Sequence, residues 1–241
     1  MTPDFSIVVP MKNEAENAAP LVAAIEAACG ASSYEIVIVD DGSDDGTAAE
    51  IASLAQARAY LRLVRHGASG GQSAAVHSGV RAARAPLICT MDGDGQNPPE
   101  NVPALLAPFA GGKEALGLVA GQRVARQDSV WKLWASTLAN RLRGWLLNDN
   151  TRDTGCGLKA FRRDAFLELP YFDHMHRYLP ALFAAHGWDV AHIDVTHAAR
   201  QAGISKYNNL GRALAGLHDL IGVAWLIKRR KKVRPLTDAE R

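Results

Sequence analysis

Two aspartates one residue apart, Asp92 and Asp94, stand in the stretch MDGDGQNPPE straight after the apolar run LIC, with Gln96 two positions further on. At a spacing of two after a strand-like run, both carboxylates lean to the same side of the strand end. Two anions held together repel unless a cation lies between them, and a hard divalent ion suits two carboxylates and an amide oxygen. Asp, Gly, Asn and Pro also build ordinary turns, so a plain turn stays open beside the metal reading. A second acidic cluster, DDGSDDGT, begins with Asp40 and Asp41 at the end of another apolar run. Unpartnered carboxylates there are costly; a base or a ribose can supply their hydrogen bonds. Ser43 or Asp45 suits the cap of a helix that starts near Thr47. The glycine-rich ASGGQSAA has neither GxGxxG nor the GxxxxGK core of a P-loop, which removes the main support for those phosphate sites.

The elements that must position these residues follow from hydrophobic pattern. Continuous apolar runs at 5–10, 34–40, 61–64, 86–92 and 116–121 read as strands buried on both faces, and Asp189–Val195 adds another. Helical patterns at Glu14–Ala28, Thr47–Ala57, Gln72–Ala83 and Pro99–Phe109 separate the first five runs. Further helices are expected at Ser129–Leu147, near Tyr178–Ala185 and over a long last segment. Strand and helix in alternation predict an α/β fold with a mainly parallel sheet flanked by helices. Ligands bind such sheets beyond the carboxyl ends of the strands, so the polar segments after the first four strands should converge on one rim. They are MKNEAEN, DDGSDDGT, RHGASGGQS and DGDGQNPPE.

Composition narrows the classes. The chain has 241 residues, 48% hydrophobic and 22% charged, enough for a substantial core. Lys228, Arg229, Arg230, Lys231, Lys232 and Arg234 outweigh the formal net charge of +2, so the remainder is net acidic and no nucleic-acid face is expected. Cys29, Cys89 and Cys156 are odd in number and widely spaced, which argues against a disulfide framework or a zinc site and for a reducing compartment. The first residues show no secretory signal pattern. His174, His176, His186, His192 and His197 alternate with apolar residues and read as packing or surface histidines.

Seven segments in order, VVPMKNE, VDDGSDDGT, GGQSAAVHSG, MDGDGQNPPE, GQRVARQDS, DTGCGLKAFRR and RQAGISKY, resemble the family 2 glycosyltransferases of GT-A fold. The likeness is to the branch of dolichyl-phosphate mannose synthases and bacterial polyprenyl-phosphate sugar transferases, and runs from Phe5 to about Asp219. It implies an inverting transfer of one sugar from a nucleotide-sugar donor to a polyprenyl phosphate by single displacement, for cell-envelope glycan or lipopolysaccharide modification. It implies a Mg²⁺ or Mn²⁺ ion on Asp92, Asp94 and Gln96, and a donor, UDP-sugar preferred and GDP-sugar second, near Pro10, Asn13, Glu14, Val39, Asp40, Asp41, Gly71, Asp92, Gly93 and Asp94. Arg123 and Arg126 match positions near the acceptor phosphate, and Arg200, Ser205 and Lys206 match a loop that closes over the phosphates. Asp153 matches an acidic position near the reaction centre, as a base or as an orienting group. Lys12 stands where many relatives carry Tyr, and the loop after the third strand lacks a familiar Asn. A transferase for another lipid or glycan acceptor and a non-catalytic membrane scaffold are the alternatives; a dehydrogenase lacks its glycine fingerprint.

On this reading residues 1–210 form the catalytic domain and 211–241 an amphipathic helix with a basic tail. Leu214, Leu217, Ile221, Ala224 and Trp225 form one stripe at helical spacing, and LIGVAWLI, residues 220–227, runs into KRRKKVR. Eight apolar residues cannot span a bilayer, which needs roughly 20. The expected setting is peripheral, on anionic lipid at the cytoplasmic face, directly or through a small membrane-protein partner, with a homo-oligomer left open and no nucleic acid.

Overall fold

A computed structural model describes residues 2–123, 143–144, 146–147, 151–198 and 209–230. Seven strands form one sheet: β1 (Phe5–Met11), β2 (Tyr34–Asp40), β3 (Leu61–Arg65), β4 (Leu87–Thr90), β5 (Leu116–Arg123), β6 (Lys159–Arg162) and β7 (Asp189–Val195). Their order is β3-β2-β1-β4-β6-β5-β7. All neighbouring pairs are parallel except those of β6, which runs antiparallel to both β4 and β5. The chain steps outward from β1 to β2 and β3, then returns to the other side of β1 as β4. That reversal leaves a crevice beyond the carboxyl ends of β1 and β4.

Side chains alternate across the strands, so each face of the sheet takes its own layer. Ile7, Val9, Ile36, Ile38 and Cys89 face α1 (Ala15–Cys29), α2 (Thr47–Gln56) and α4 (Val102–Ala110). Val8, Val37, Val39, Ile88, Leu118 and Phe161 face α3 (Gln72–Ala82), α5 (Arg163–Leu167), α6 (Leu179–Ala185) and α7 (Asn209–Arg229). The central strands are buried on both faces as expected, whereas β3 and β7 are largely half-buried because they form the two edges. β4 stops at Thr90, short of the expected 92, because the following Met91–Gln96 segment turns. The antiparallel β6 and the short α5 were not foreseen: LKAFRR is too brief to carry a period. Of the helix expected at Ser129–Leu147, Arg143, Gly144, Leu146 and Leu147 are described and helical; the rest lies outside the described residues.

The expected stripe on α7 divides in two. Leu220, Val223 and Ala224 pack into the core, while Ile221 and Trp225 are 59% and 58% exposed. Ala224 therefore sits on the inner face, and the side chains of Leu214 and Leu217 lie outside the described set. No described helix is long and apolar enough to cross a membrane.

One buried carboxylate ties β1, β2 and β3 together beneath the core. Glu35 accepts from Ser6 Oγ at 2.7 Å, from Arg62 at 3.0 Å and from the Arg84 backbone N–H. Burial pushes its carboxyl up, but the Arg84, Ser6 and Arg62 donors outweigh it and hold it below its ordinary value of 4.5. A folded pKa below the unfolded one gives stability that is complete above about 4.5 and lost as pH falls through the folded value. Denaturant unfolding is expected to show this acid loss, and Glu35→Gln to lower stability by roughly 1.5–3 kcal/mol at neutral pH. An equal acid loss in wild type and Glu35→Gln would contradict the assignment.

Candidate active site

The four polar segments do meet at the carboxyl ends of β1 to β4, and side chains stitch them together. After β1, Asn13 turns with φ +57° and binds the β2 loop reciprocally: its side chain donates to Asp44 at 2.6 Å and accepts from the Asp44 N–H at 3.1 Å. Its backbone N–H donates to Ser43 Oγ, and the Glu14 N–H donates to Thr47 Oγ1. The N-cap of α2 is Gly46, not Ser43 or Asp45 as expected; Asp45 instead accepts from the Thr47 N–H at the first helical residue. Asn13, expected to touch the nucleotide, is thus a staple between two loops.

Asp41 has a similar fate. Its carboxylate accepts from Ser69 Oγ and from the Gly70 and Gly71 N–H groups at 2.7, 2.8 and 2.9 Å, and lies 2.7 Å from His66 Nδ1. Burial alone would raise its pKa, but these partners together pull it below the usual carboxylate range. Four bonds exhaust a carboxylate, so Asp41 holds the β3–α3 loop in shape, and the N–H of Gly71, a residue expected near the donor, is already spent on it. His66 Nε2 continues to Ser78 Oγ at 2.9 Å. The Asp-His-Ser order is that of a hydrolase triad, but Ser78 lies within α3, where the neighbouring N–H groups belong to the helix ladder.

Asp40 is different. Its residue is fully buried, Oδ1 accepts from the Ser43 N–H at 3.2 Å, and Oδ2 has no hydrogen bond. Arg65 Nε stands 3.7 Å from that oxygen on a largely exposed side chain. Val39, expected beside it, points into the core, where its methyl would meet a side chain at Gly79. Val39 can reach a ligand by backbone alone.

At the β1/β4 crevice, Asp92 accepts from Gln72 Nε2 at 2.8 Å through Oδ1 and from Asn97 Nδ2 at 2.9 Å through Oδ2. Burial raises its pKa; Asn97 lowers it, neighbouring Asp94 raises it further, and the positive charges of Lys159 and Arg123 act the other way. Asp94 Oδ1 accepts from the Gln96 N–H at 3.1 Å. The Gln96 carbonyl accepts from the Ala198 N–H, which fastens the acidic turn to the end of β7. Gly93 lets this turn lie on β1, since a Cβ there would stand 2.6 Å from Met11 Cγ and 3.0 Å from the Pro10 carbonyl. Gly93 can reach a ligand by backbone alone. Asp92 keeps lone pairs that Gln72 and Asn97 do not use, and the two carboxylates with the Gln96 amide oxygen form a donor set fit for a hard divalent ion. Among the described residues no three His, Cys, Asp or Glu side chains gather into a closed metal cage.

Behind Asp92, Arg123 grips Asp153 in a two-pronged pair, Nε to Oδ2 at 2.6 Å and Nη2 to Oδ1 at 2.9 Å. The structure thereby joins two residues that the sequence assigned separately. Arg126, Arg200, Ser205 and Lys206 lie outside the described residues. A separate apolar cavity of about 370 Å³, lined by Phe5, Leu87, Val102 and Phe109, opens at the opposite ends of the strands and takes no part in this site.

With the geometry established, comparison with known proteins fixes the kind of protein. The family model described as glycosyl transferase family 2 matches residues 6–169. The chain belongs to that family. The transferase is 34% identical, over 96% of its own length and 69% of the relative's, to a dodecaprenyl-phosphate galacturonate synthase of Rhizobium johnstonii. It is 33% identical to an undecaprenyl-phosphate 4-deoxy-4-formamido-L-arabinose transferase of Klebsiella pneumoniae, over 90% of this chain and 66% of that one. It thus spans about two thirds of the length of these curated relatives. Among solved structures, a mannosyltransferase of Pyrobaculum calidifontis in complex with GDP-Man and Mn²⁺ aligns with TM-score 0.67 at 18% identity, over 98% of this chain and 67% of that one. Glucosyl-3-phosphoglycerate synthase of Mycobacterium tuberculosis with Mn²⁺ and UDP-Glc aligns with TM-score 0.65 at 22% identity, over 91% and 79%. The transferase has the GT-A fold of these enzymes.

Sequence reasoning missed Gln72, Asn97, Lys159, Ser73 and His176 as members of the site. Gln72 and Asn97 sat inside quoted motifs, but only the fold shows that both amides reach Asp92. Lys159 is buried at the start of β6, donates to the Cys156 carbonyl, and has its pKa lowered mainly by burial. Gly157 presses against Asp92: a Cβ there would fall 2.3–2.6 Å from its carboxylate atoms. Gly157→Ala is therefore expected to displace the Asp92 carboxylate, removing Mn²⁺-dependent nucleotide binding by calorimetry while shifting the melting temperature little. Unchanged metal-dependent binding would show that Asp92 tolerates displacement.

Proposed function

We propose that the transferase moves one sugar from a nucleotide-sugar donor, UDP-linked by preference, to a polyprenyl phosphate with inversion at the anomeric carbon. The observation that carries the donor half is the pairing of Asp92 with Asp94 at the β1/β4 crevice, together with the buried Oδ2 of Asp40 at the end of the neighbouring β2. Asp40 needs a donor that the protein does not supply, and the ring N–H of uracil or guanine is one; the exposed Arg65 can swing aside to admit it. Asp92, Asp94 and Gln96 would hold the divalent cation, which when bound neutralises charge on the departing nucleoside diphosphate. The polyprenyl relatives support the acceptor half.

The acceptor phosphate is itself an anion and needs little help from a base. Asp153, gripped by both prongs of Arg123, is poorly placed to take a proton and serves to hold that guanidinium toward the acceptor side. Arg126 and the Arg200–Lys206 loop would add further cations against phosphate.

A lipid acceptor requires access to a bilayer. Ile221 and Trp225 lie one turn apart on the outer face of α7, the Arg229 guanidinium lies 5.6 Å from the Trp225 ring centre, and Lys228 and Arg230 follow. An apolar patch continued by the basic run 228–234 matches an anionic lipid surface on the cytoplasmic side, where each charge near the surface contributes about 1 kcal/mol. Residues 211–241 serve on this reading as the membrane-facing part.

Calorimetric titration with UDP, GDP and CDP, each with and without Mn²⁺, is expected to show one nucleoside diphosphate binding only with metal, and Asp94→Ala to abolish it. Metal-independent binding, or none, would overturn the donor assignment. Flotation with phosphatidylglycerol vesicles is expected to recover the protein in a salt-sensitive manner, with Trp225→Asp weakening recovery at least tenfold. Equal recovery of wild type and Trp225→Asp would remove the outer face of α7 from the membrane contact.

A further inference from the structure

The β1/β4 crevice ends in a small cavity of about 20 Å³ lined by Pro10, Gln72, Thr90, Asp92, Lys159 and His176, among others. That is room for about one water-sized group. His176 reaches it from a 3₁₀ turn, Met175–Arg177, which precedes α6, and is tied to the second residue of α3 by two contacts. Ser73 Oγ lies 2.7 Å from His176 Nδ1 and accepts the His176 backbone N–H at 3.3 Å.

These two contacts fix the state of the ring. Ser73 is 1% exposed, so its single hydroxyl proton needs an acceptor inside the protein. One lone pair of Oγ already takes the His176 N–H, and Nδ1 is the acceptor at hand. Donation to Nδ1 leaves that nitrogen unprotonated and places the ring proton on Nε2. The positive end of α3 acts against an imidazolium at the same place. Burial, with the charges of Lys159, Arg177 and His174, pushes the ring pKa down to about 3, so it stays neutral at physiological pH. Among the described residues Nε2 makes no hydrogen bond.

We propose that His176 binds the donor's glycosyl group, its Nε2–H donating to one sugar oxygen seated between the imidazole and Asp92. This rests on the glycosyl-transfer reading above. The chemistry of the cavity selects a hydroxyl over a phosphate. A hydroxyl accepts from Nε2–H and can donate in turn to the Asp92 carboxylate, whereas a phosphate oxygen only accepts, and a cavity of about 20 Å³ admits a single oxygen but not a phosphate group. A site with a fixed donor and a fixed acceptor around one oxygen discriminates between sugars that carry a hydroxyl there and sugars that do not.

The test is a long-range ¹H–¹⁵N spectrum of histidine-labelled protein at neutral pH, with His176 assigned by its loss in His176→Gln. The expected pattern is the Nε2–H tautomer. Its resonance should stay in place on saturation with UDP and Mg²⁺ and move with UDP-glucose or UDP-galacturonate and Mg²⁺. In turnover, His176→Leu is expected to raise the KM for the nucleotide sugar roughly tenfold, the size of one hydrogen bond, with the inhibition constant of UDP unchanged; His176→Gln, which retains an N–H donor, should recover most of the loss. An Nδ1–H tautomer or an imidazolium overturns the inference. So does an unmoved Nε2 signal with a nucleotide sugar that calorimetry shows to be bound, the result expected if a water fills the cavity. A merely structural His176 would weaken UDP and nucleotide sugar alike. Absence of calorimetric binding of every nucleotide and nucleotide sugar overturns the transfer reading itself, and this inference with it, whatever the tautomer.

Discussion

A half-buried carboxylate set beside another acid must be supplied with hydrogen bonds or a cation, and Asp92 is where this structure meets that demand. Gln72 reaches it from the start of α3, Asn97 from the far side of its own turn, and Gly157 gives it the space that a Cβ would fill. Three separate segments are therefore fixed relative to one another by the need to hold one anion. The partners are amides, so the anion stays only partly compensated. That residual negative charge, with Asp94 beside it, is what the proposed divalent ion would neutralise.

The rest of the rim is organised by acids of another kind. Asp41 spends its whole capacity on the β3–α3 loop, while Asp44 and Asp45 bond the loops after β1 and β2, and Asp153 bonds Arg123 and the Gly155 N–H. Each holds its segment in place by charge-assisted bonds. Only Asp40 keeps a buried oxygen without a hydrogen bond among these strand-end acids. The division explains how an acidic cluster can be rich in carboxylates while most of them are spent on the protein itself.

The two faces of the sheet also differ in what they bring to the site. The α1, α2 and α4 layer closes the core behind β1 and β2. The opposite layer carries α3, whose first residues meet Asp92 and His176, and α7, whose inner face joins the same core while Ile221 and Trp225 stay outside. The amide that steadies the acidic turn and the helix assigned to the membrane surface thus rest on one packed layer.

The sequence by itself determined the parallel strands, their helices, the rim on which the polar segments meet and the family. Continuous apolar runs, turn residues and ordered motifs are local signals, and a local signal survives in one dimension. Tertiary structure decided that Asn13, Asp41 and Gly71 bond neighbouring loops and that Val39 points into the core, while Asp40 keeps an oxygen without a hydrogen bond and Asp92 keeps lone pairs that its amide partners leave unused. It also supplied β6, the Arg123–Asp153 grip and the Ser73–His176 contact, whose partners lie 30 and 103 residues apart. Pairings of that separation have no period and no spacing rule; they follow from how the layers close over the sheet, and a linear pattern carries no record of that closure.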